Sequence, residues 1–278
     1  MRIAYKIILL ALLYMPKPFE LILFEILYPI YRLSHRKRAW GRVKKHLEAT
    51  GLDKKTSPKK AFFALYTNYL DSLRYLCRLP NTVKKVRFER EELIREPLAG
   101  GIPVVAMGVH LGAFEIMHRI LTRYSDHVYL FTHSFRDKAL TQLLHDIRKA
   151  PGLEERETSS VSQTIRDFFK NKGILAMLVD QATDGRGIPT QILGKPSELF
   201  LRLPLKALSM GAGIVTFRIF RSKAGHTVRF ETFYPPKSHP GQTAEAIANE
   251  ISSWISEHPD EWTWNYHRNF TRGESHER

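Results

Sequence analysis

Ile102-Pro103-Val104-Val105-Ala106-Met107-Gly108-Val109-His110-Leu111-Gly112-Ala113-Phe114-Glu115 changes its hydrophobic period part-way along. The first six residues form a short, apolar, β-branched run of the kind found in buried strands. Beyond them Phe114, Met117, His118, Leu121 and Tyr124 recur at helical spacing. His110 therefore falls at the carboxyl end of a strand, and Glu115 in the opening of the helix that follows. Gly108 and Gly112 bracket the histidine and permit a sharp turn. In open α/β sheets, ligands bind at this edge, outside the strand C-termini.

A histidine and a carboxylate five residues apart can meet across such a corner. Histidine titrates near neutral pH. A carboxylate on one ring nitrogen fixes the tautomer, and the other nitrogen can then take a proton from a hydroxyl. A helix N-terminus beside the corner would offer N–H groups to developing negative charge. The same residues also fit a plainer pattern. In that pattern Glu115 complements a helix dipole and His110 is a polar strand-end residue.

The chain has 278 residues, enough for one large domain or two small ones, and its 43% hydrophobic content suits a sizeable core. A net charge of +15 calls for an anionic partner: nucleic acid, a phospholipid surface or an acidic carrier. The single cysteine, Cys77, excludes an intrachain disulfide and suits a buried thiol in a reducing compartment. No Cys/His spacing suggests zinc.

Residues 1–31 are almost wholly apolar. Arg2 and Lys6 before Ile7–Met15 imitate a signal peptide, but Pro16-Lys17-Pro18 follows without a small-residue cleavage site, so no cleavage is expected. Neither half reaches the ~20 residues needed to span a bilayer. The prolines should break the run into two short helices lying in the membrane interface. Arg32, Arg36, Lys37, Arg38, Arg42, Lys44 and Lys45 come next, with no acid between Glu25 and Glu48. Basic residues beside an apolar anchor suit anionic headgroups on the cytoplasmic side. A solvated basic helix or a nucleic-acid patch would show the same charges without needing the anchor.

Further along, helices are expected over 61–79, 91–99, 138–149, 161–172, 200–210 and 243–258. Strands are expected over 83–88, 128–132, 174–179, 214–220 and 227–233. Residues 182–198, rich in Gly and Pro, read as a substrate loop. The expected fold is α/β, with a mixed, largely parallel sheet covered by helices. Two parts are expected: an anchor and basic segment over 1–46, and a catalytic domain over 47–278. Asp180-Gln181 ends a core strand and should open on the same edge as His110. Arg148 ends a helix, where a cation also offsets the dipole. Trp262 and Trp264 suit core packing better than base stacking.

The whole chain resembles the bacterial lipid A biosynthesis acyltransferases, within the lysophospholipid acyltransferase superfamily. The resemblance rests on the apolar-then-basic N-terminus and the His110-x4-Glu115 motif. It extends to Val179-Asp180-Gln181, Leu193-Gly194-Lys195-Pro196, Met210-Gly211-Ala212, and His258-Pro259-Asp260-Glu261-Trp262-Thr263-Trp264 with Arg268. It implies a glycerolipid-acyltransferase-like fold. It also implies acyl transfer from a carrier-protein thioester to a hydroxyl of a lipid A precursor, at the cytoplasmic face of the inner membrane. Arg148 falls where the family places an important arginine, and with Asp180 and Gln181 it is expected to contact substrate. Two positions depart from the family pattern: Ala113-Phe114 replaces the more usual Asn-Trp, and His133 stands near an expected arginine.

The expected mechanism has Glu115 orienting His110, which deprotonates the acceptor hydroxyl for attack on the thioester. Backbone N–H groups at the Gly112 corner, with a basic side chain, would hold the oxyanion. No cofactor, metal or nucleic acid is expected. Two alternatives remain. One is a non-catalytic membrane-surface or nucleic-acid-binding protein. The other is an acyl-CoA-dependent acyltransferase for a lysophospholipid or mannosyl glycolipid.

Overall fold

The structure, a computed structural model, describes residues 2–132, 137–181 and 187–265. Two apolar helices come first, α1 (Arg2–Leu13) and α2 (Lys17–Ser34). Pro16 precedes α2 and Pro18 lies in its first turn, where a missing N–H costs nothing. The two helices are bent by 120° at this break, and no single described helix is long and apolar enough to cross a membrane. The basic run continues into α3 (Gly41–Thr50), which buries Val43, His46 and Leu47. α4 (Pro58–Leu76) opens on Ser57, whose hydroxyl accepts the Lys60 N–H at 3.3 Å. A short turn, α5 (Pro80–Val83), follows.

α4 fixes the N-terminal elbow. Arg74 donates to the carbonyls of Leu12, Leu13 and Met15 at 3.0–3.1 Å, placing a cation on the last turn of α1. Its Nη1 also lies 2.7 Å from Glu20 Oε1 on α2. Phe24 of α2 is buried, with its ring edge-on to Phe63 at 4.9 Å. The N-terminal helices are thus packed on the rest of the chain.

The remainder alternates strands and helices: β1 (Val86–Glu89), α6 (Glu92–Ala99), β2 (Val104–Gly108), α7 (Met117–Leu121), β3 (Val128–Thr132), α8 (Lys138–Arg148), β4 (Leu153–Glu157), α9 (Val161–Lys170) and β5 (Ile174–Leu178). Then come β6 (Ile188–Ile192), β7 (Lys195–Leu199), α10 (Arg202–Ser209), β8 (Gly213–Ser222), β9 (Gly225–Tyr234) and α11 (Pro240–Glu257). Seven strands form one sheet in the order β1-β9-β8-β2-β5-β3-β4. β8, β2, β5, β3 and β4 run parallel, so their C-termini share one edge. The β8–β9 hairpin is antiparallel, and β1 runs parallel to β9.

This is the expected mixed, largely parallel α/β sheet covered by helices. β2 is buried at all five positions. Val105 and Met107 pack into a core with α3, α4, α9, α10 and α11, while Val104 and Ala106 pack on the other face with α6 and α7. Alternate side chains thus feed two hydrophobic layers, which is why the strand reads as a continuous apolar run.

Two strand-forming stretches were not expected. β4 is the charged run Leu-Glu-Glu-Arg-Glu at the sheet edge, where charge discourages pairing with another chain. Within the expected substrate loop, β6 and β7 form a separate hairpin, turning at Leu193 and Gly194 with φ of 53° and 70°. The Leu193 N–H donates to Ser252 Oγ at 3.0 Å, which ties the hairpin tip to α11.

Candidate active site

β2 and β5 pair in parallel with Gly108 opposite Leu178. Two residues beyond each lie His110 and Asp180, and they meet. Asp180 Oδ1 is 2.7 Å from His110 Nδ1, and the Asp180 carboxylate also accepts the His110 backbone N–H at 3.1–3.2 Å. Trp262 Nε1 donates to Asp180 Oδ2 at 2.8 Å. Asp180 is 3% exposed, so the carboxylate needs these donors to be tolerated where it lies. With Nδ1–H directed at Asp180, Nε2 is the nitrogen that can accept a proton.

The segment Glu261–Trp264 clamps the corner from the other side. Thr263 donates twice to the His110 carbonyl, from its N–H at 2.9 Å and its hydroxyl at 2.8 Å. Leu111 bridges to Trp262, and the Gly112 N–H donates to the Glu261 carbonyl at 3.1 Å. Gly112 has φ +60°, and a Cβ there would fall 2.1 Å from the Ile219 carbonyl oxygen, so a side chain is sterically barred. Phe114 sets its ring edge-on to the His110 imidazole at 4.7 Å, and Tyr69 of α4 does the same to Phe114 at 5.7 Å.

Three expectations change. The carboxylate on His110 Nδ1 is Asp180, whereas Glu115 was expected to orient the ring. Glu115 instead accepts from Arg148 Nη2 at 3.0 Å, so the helix-end arginine and the motif glutamate form one pair. The backbone N–H groups of His110, Leu111 and Gly112 are already bonded within the protein. That of His110 goes to Asp180, that of Leu111 to Val109 O, and that of Gly112 to Glu261 O. The chain makes a single 3₁₀ turn over Phe114–Ile116 before α7, and α7 is only five residues long.

Asp180 and Gln181 do lie at the His110 edge, but Asp180 is turned inward and its oxygens are committed to His110 and Trp262. Gln181 is half-buried and is the last described residue before 187. His133 and Arg268 lie outside the described residues. Trp262 and Trp264 are buried as expected, at 3% and 0% exposure. What the sequence reading missed is the polar work of Trp262 and Thr263 on the corner. The dense run of hydrogen-bonding aromatics after α11 was the signal for it.

Two titratable groups on the clamp and on α7 are shifted by burial. Burial pushes the Glu261 carboxyl up to about 7, although the Arg221 N–H and the Arg221 charge oppose the rise. Both Glu261 oxygens accept that N–H, at 2.9 and 3.0 Å. His118, on α7, is lowered to about 3 by burial and by the neighbouring Arg148 and Arg119 charges, so it is neutral in the fold.

A histidine whose tautomer is fixed by a buried carboxylate, at the C-terminal edge of a mostly parallel sheet, is an arrangement that can take a proton from a bound hydroxyl. The chain matches the family described as bacterial lipid A biosynthesis acyltransferase over residues 74–272, and it belongs to that family. It is therefore an acyltransferase. Members of the family are generally membrane-associated. No curated protein matches the chain closely enough to count as a relative.

Proposed function

We propose that the protein transfers a fatty acyl group from an acyl carrier protein thioester to a hydroxyl of a lipid A precursor at the cytoplasmic face of the inner membrane. The observation that carries the mechanism is the 2.7 Å contact between His110 Nδ1 and the buried Asp180 carboxylate. Asp180 holds the Nδ1–H tautomer and stabilises the imidazolium. Nε2 of His110 takes the proton of the acceptor hydroxyl as its oxygen attacks the thioester carbonyl. The tetrahedral intermediate collapses with loss of the carrier thiolate, which takes back the proton from His110. General-base catalysis of this kind contributes about 10²–10⁴-fold. Arg148, held beside the corner by Glu115, is the cation proposed to meet the oxyanion or an acceptor phosphate.

Further features support the reading. An apolar groove of about 410 Å³ lies between α2 and α4, lined by residues including Phe24, Tyr28, Tyr66 and Tyr69. Tyr69 touches Phe114, which touches His110, so a hydrocarbon chain in the groove would end near the base. Ile7, Ile8 and Leu10 of α1 and Phe19, Ile22 and Ile26 of α2 are all more than half exposed, as an interfacial anchor requires. The basic run Arg32–Lys45 suits anionic lipid headgroups and an acidic carrier protein.

The test is to supply labelled acyl carrier protein to membranes containing the protein. Mass spectrometry should find one added acyl group on a phosphorylated glucosamine-based lipid, and none with His110→Ala. Acylation of lysophospholipid alone, or transfer from acyl-CoA only, would move the assignment to another acceptor or donor. Absence of transfer from either thioester would refute it.

A further inference from the structure

A pocket of about 680 Å³ opens at the elbow between α1 and α2, and His110 is not among its lining residues. Five cations line it, Lys17, Arg74, Lys85, Arg221 and Lys223, against two carboxylates, Glu20 and Asp71. The two acids are buried and already neutralised. Glu20 pairs with Arg74 and Lys17, and Asp71 is contacted by Arg221 at 2.9 Å, by His226 at 3.1 Å and by Lys17 at 3.3 Å. Lys85 and Lys223 are exposed at the mouth, and among the described residues no carboxylate pairs with either. The pocket therefore keeps an excess of positive charge after its internal pairs are counted.

Its rim is apolar. Leu13, Tyr14, Met15 and Pro16 form one wall, and Tyr14 is 70% exposed. The exposed apolar residues of α1 and α2 continue outward from that wall. A cationic hollow bordered by hydrocarbon-compatible surface matches an amphiphile with an anionic head. A free anion would use the charges but leave the rim without a role.

The geometry points to the elbow pocket as a binding site for the phosphate-bearing headgroup of a membrane lipid, held by Lys85 and Lys223 with Lys17 and Arg221 behind them. The hydrocarbon chains of that lipid lie along the exposed faces of α1 and α2. This goes beyond acyl transfer, because it concerns a site separate from His110 and is read by binding alone. Arg221 gives the site a physical link to the corner. Its guanidinium faces the pocket floor, and its backbone N–H is held by Glu261, whose carbonyl accepts the Gly112 N–H.

The experiment uses full-length protein in an uncharged detergent, with dihexanoyl phosphatidic acid below its micelle concentration as the probe, followed by calorimetry or phosphorus NMR. Saturable binding is expected. Lys85→Gln/Lys223→Gln should weaken it at least about tenfold. The charge-matched pair Lys170→Gln/Lys206→Gln, exposed and outside both the pocket and the Arg32–Lys45 run, should bind as the parent does. Inorganic phosphate should bind at least about tenfold more weakly than the lipid. Both double variants remove exposed side chains, and unchanged thermal unfolding will verify that each is folded. Equal binding by the pocket variant and the parent would overturn the proposal, and so would equal losses in the two variants. Inorganic phosphate binding as tightly as the lipid would replace the headgroup with a free anion and overturn the lipid assignment.

Discussion

His110 and Asp180 stand at the same offset on neighbouring strands, each two residues beyond one of the facing pair Gly108 and Leu178. Sheet register, and not a helix face, brings the imidazole and the carboxylate together. His110→Ala should abolish transfer. Asp180→Asn should lower kcat by about 10²–10⁴-fold, because the amide can present the wrong partner to Nδ1. Glu115→Gln should be milder, since it loosens Arg148 and leaves the Nδ1 contact in place. Turnover by the purified variants decides this. A severe Glu115→Gln with a mild Asp180→Asn would return the orienting role to Glu115.

The Trp262 indole N–H reaches His110 through the Asp180 carboxylate. Trp262→Phe keeps the aromatic packing and deletes the 2.8 Å donor, leaving a buried carboxylate oxygen short of one hydrogen bond at a cost of about 1–3 kcal/mol. The expected result is a lower kcat, an unchanged KM for both substrates, and a shifted pH–rate profile. A loss of stability with a normal pH–rate profile would mark Trp262 as packing alone.

Glu261 makes folding pH-dependent. Its carboxyl is raised from 4.5 to about 7 in the fold. Between those values the folded protein holds a proton that the unfolded chain releases. Stability from this group is therefore greatest below about pH 4.5, declines as pH rises, and is fully lost above about pH 7. The displacement corresponds to roughly 3 kcal/mol. Glu261→Gln should flatten that decline in urea titrations across the window. An unchanged pH dependence would show that the carboxyl titrates normally.

The N-terminal helices should not be separable from the domain. Deleting residues 1–31 removes Phe24 from the core and takes Glu20 from Arg74, so an unstable, aggregating product is expected. A gentler test is Glu20→Gln in the full-length protein. Arg74 stays buried there with Asp71 3.5 Å away, so the loss should lie near the low end of the 3–5 kcal/mol typical of a broken buried pair. Chemical denaturation measures it. A stable, monomeric truncated protein would show that α1 and α2 are an appendage.

The fold was legible wherever burial imposed a period. β2, β3 and α6 lie within two residues of their expected bounds because a continuous apolar run or helical apolar spacing marks them. β4 escaped because an edge strand carries charge where a central strand carries Val and Ile. The β6–β7 hairpin escaped because Pro189 and Pro196 argue against strands, and because its turn sets Leu193 at positive φ. At the site, the His110 end of the pair was readable from the strand-to-helix change. Its partner lies 70 residues away, so sequence proximity favoured Glu115. Only pairing of β2 with β5 decides between the two carboxylates.

The Arg74 contacts impose an order on biogenesis. α1 and α2 leave the ribosome before α4, with their apolar faces uncovered and Glu20 not yet paired with Arg74. The guanidinium that closes the elbow is made 61 residues after Leu13, and Arg221, which completes the Asp71 cluster, 150 residues after Asp71. At about 5–20 residues per second, the nascent elbow waits roughly 3–12 s for Arg74 and about 8–30 s more for Arg221. During that interval the apolar helix pair stays uncovered before the sheet it packs beside exists, so its burial is among the last steps of folding.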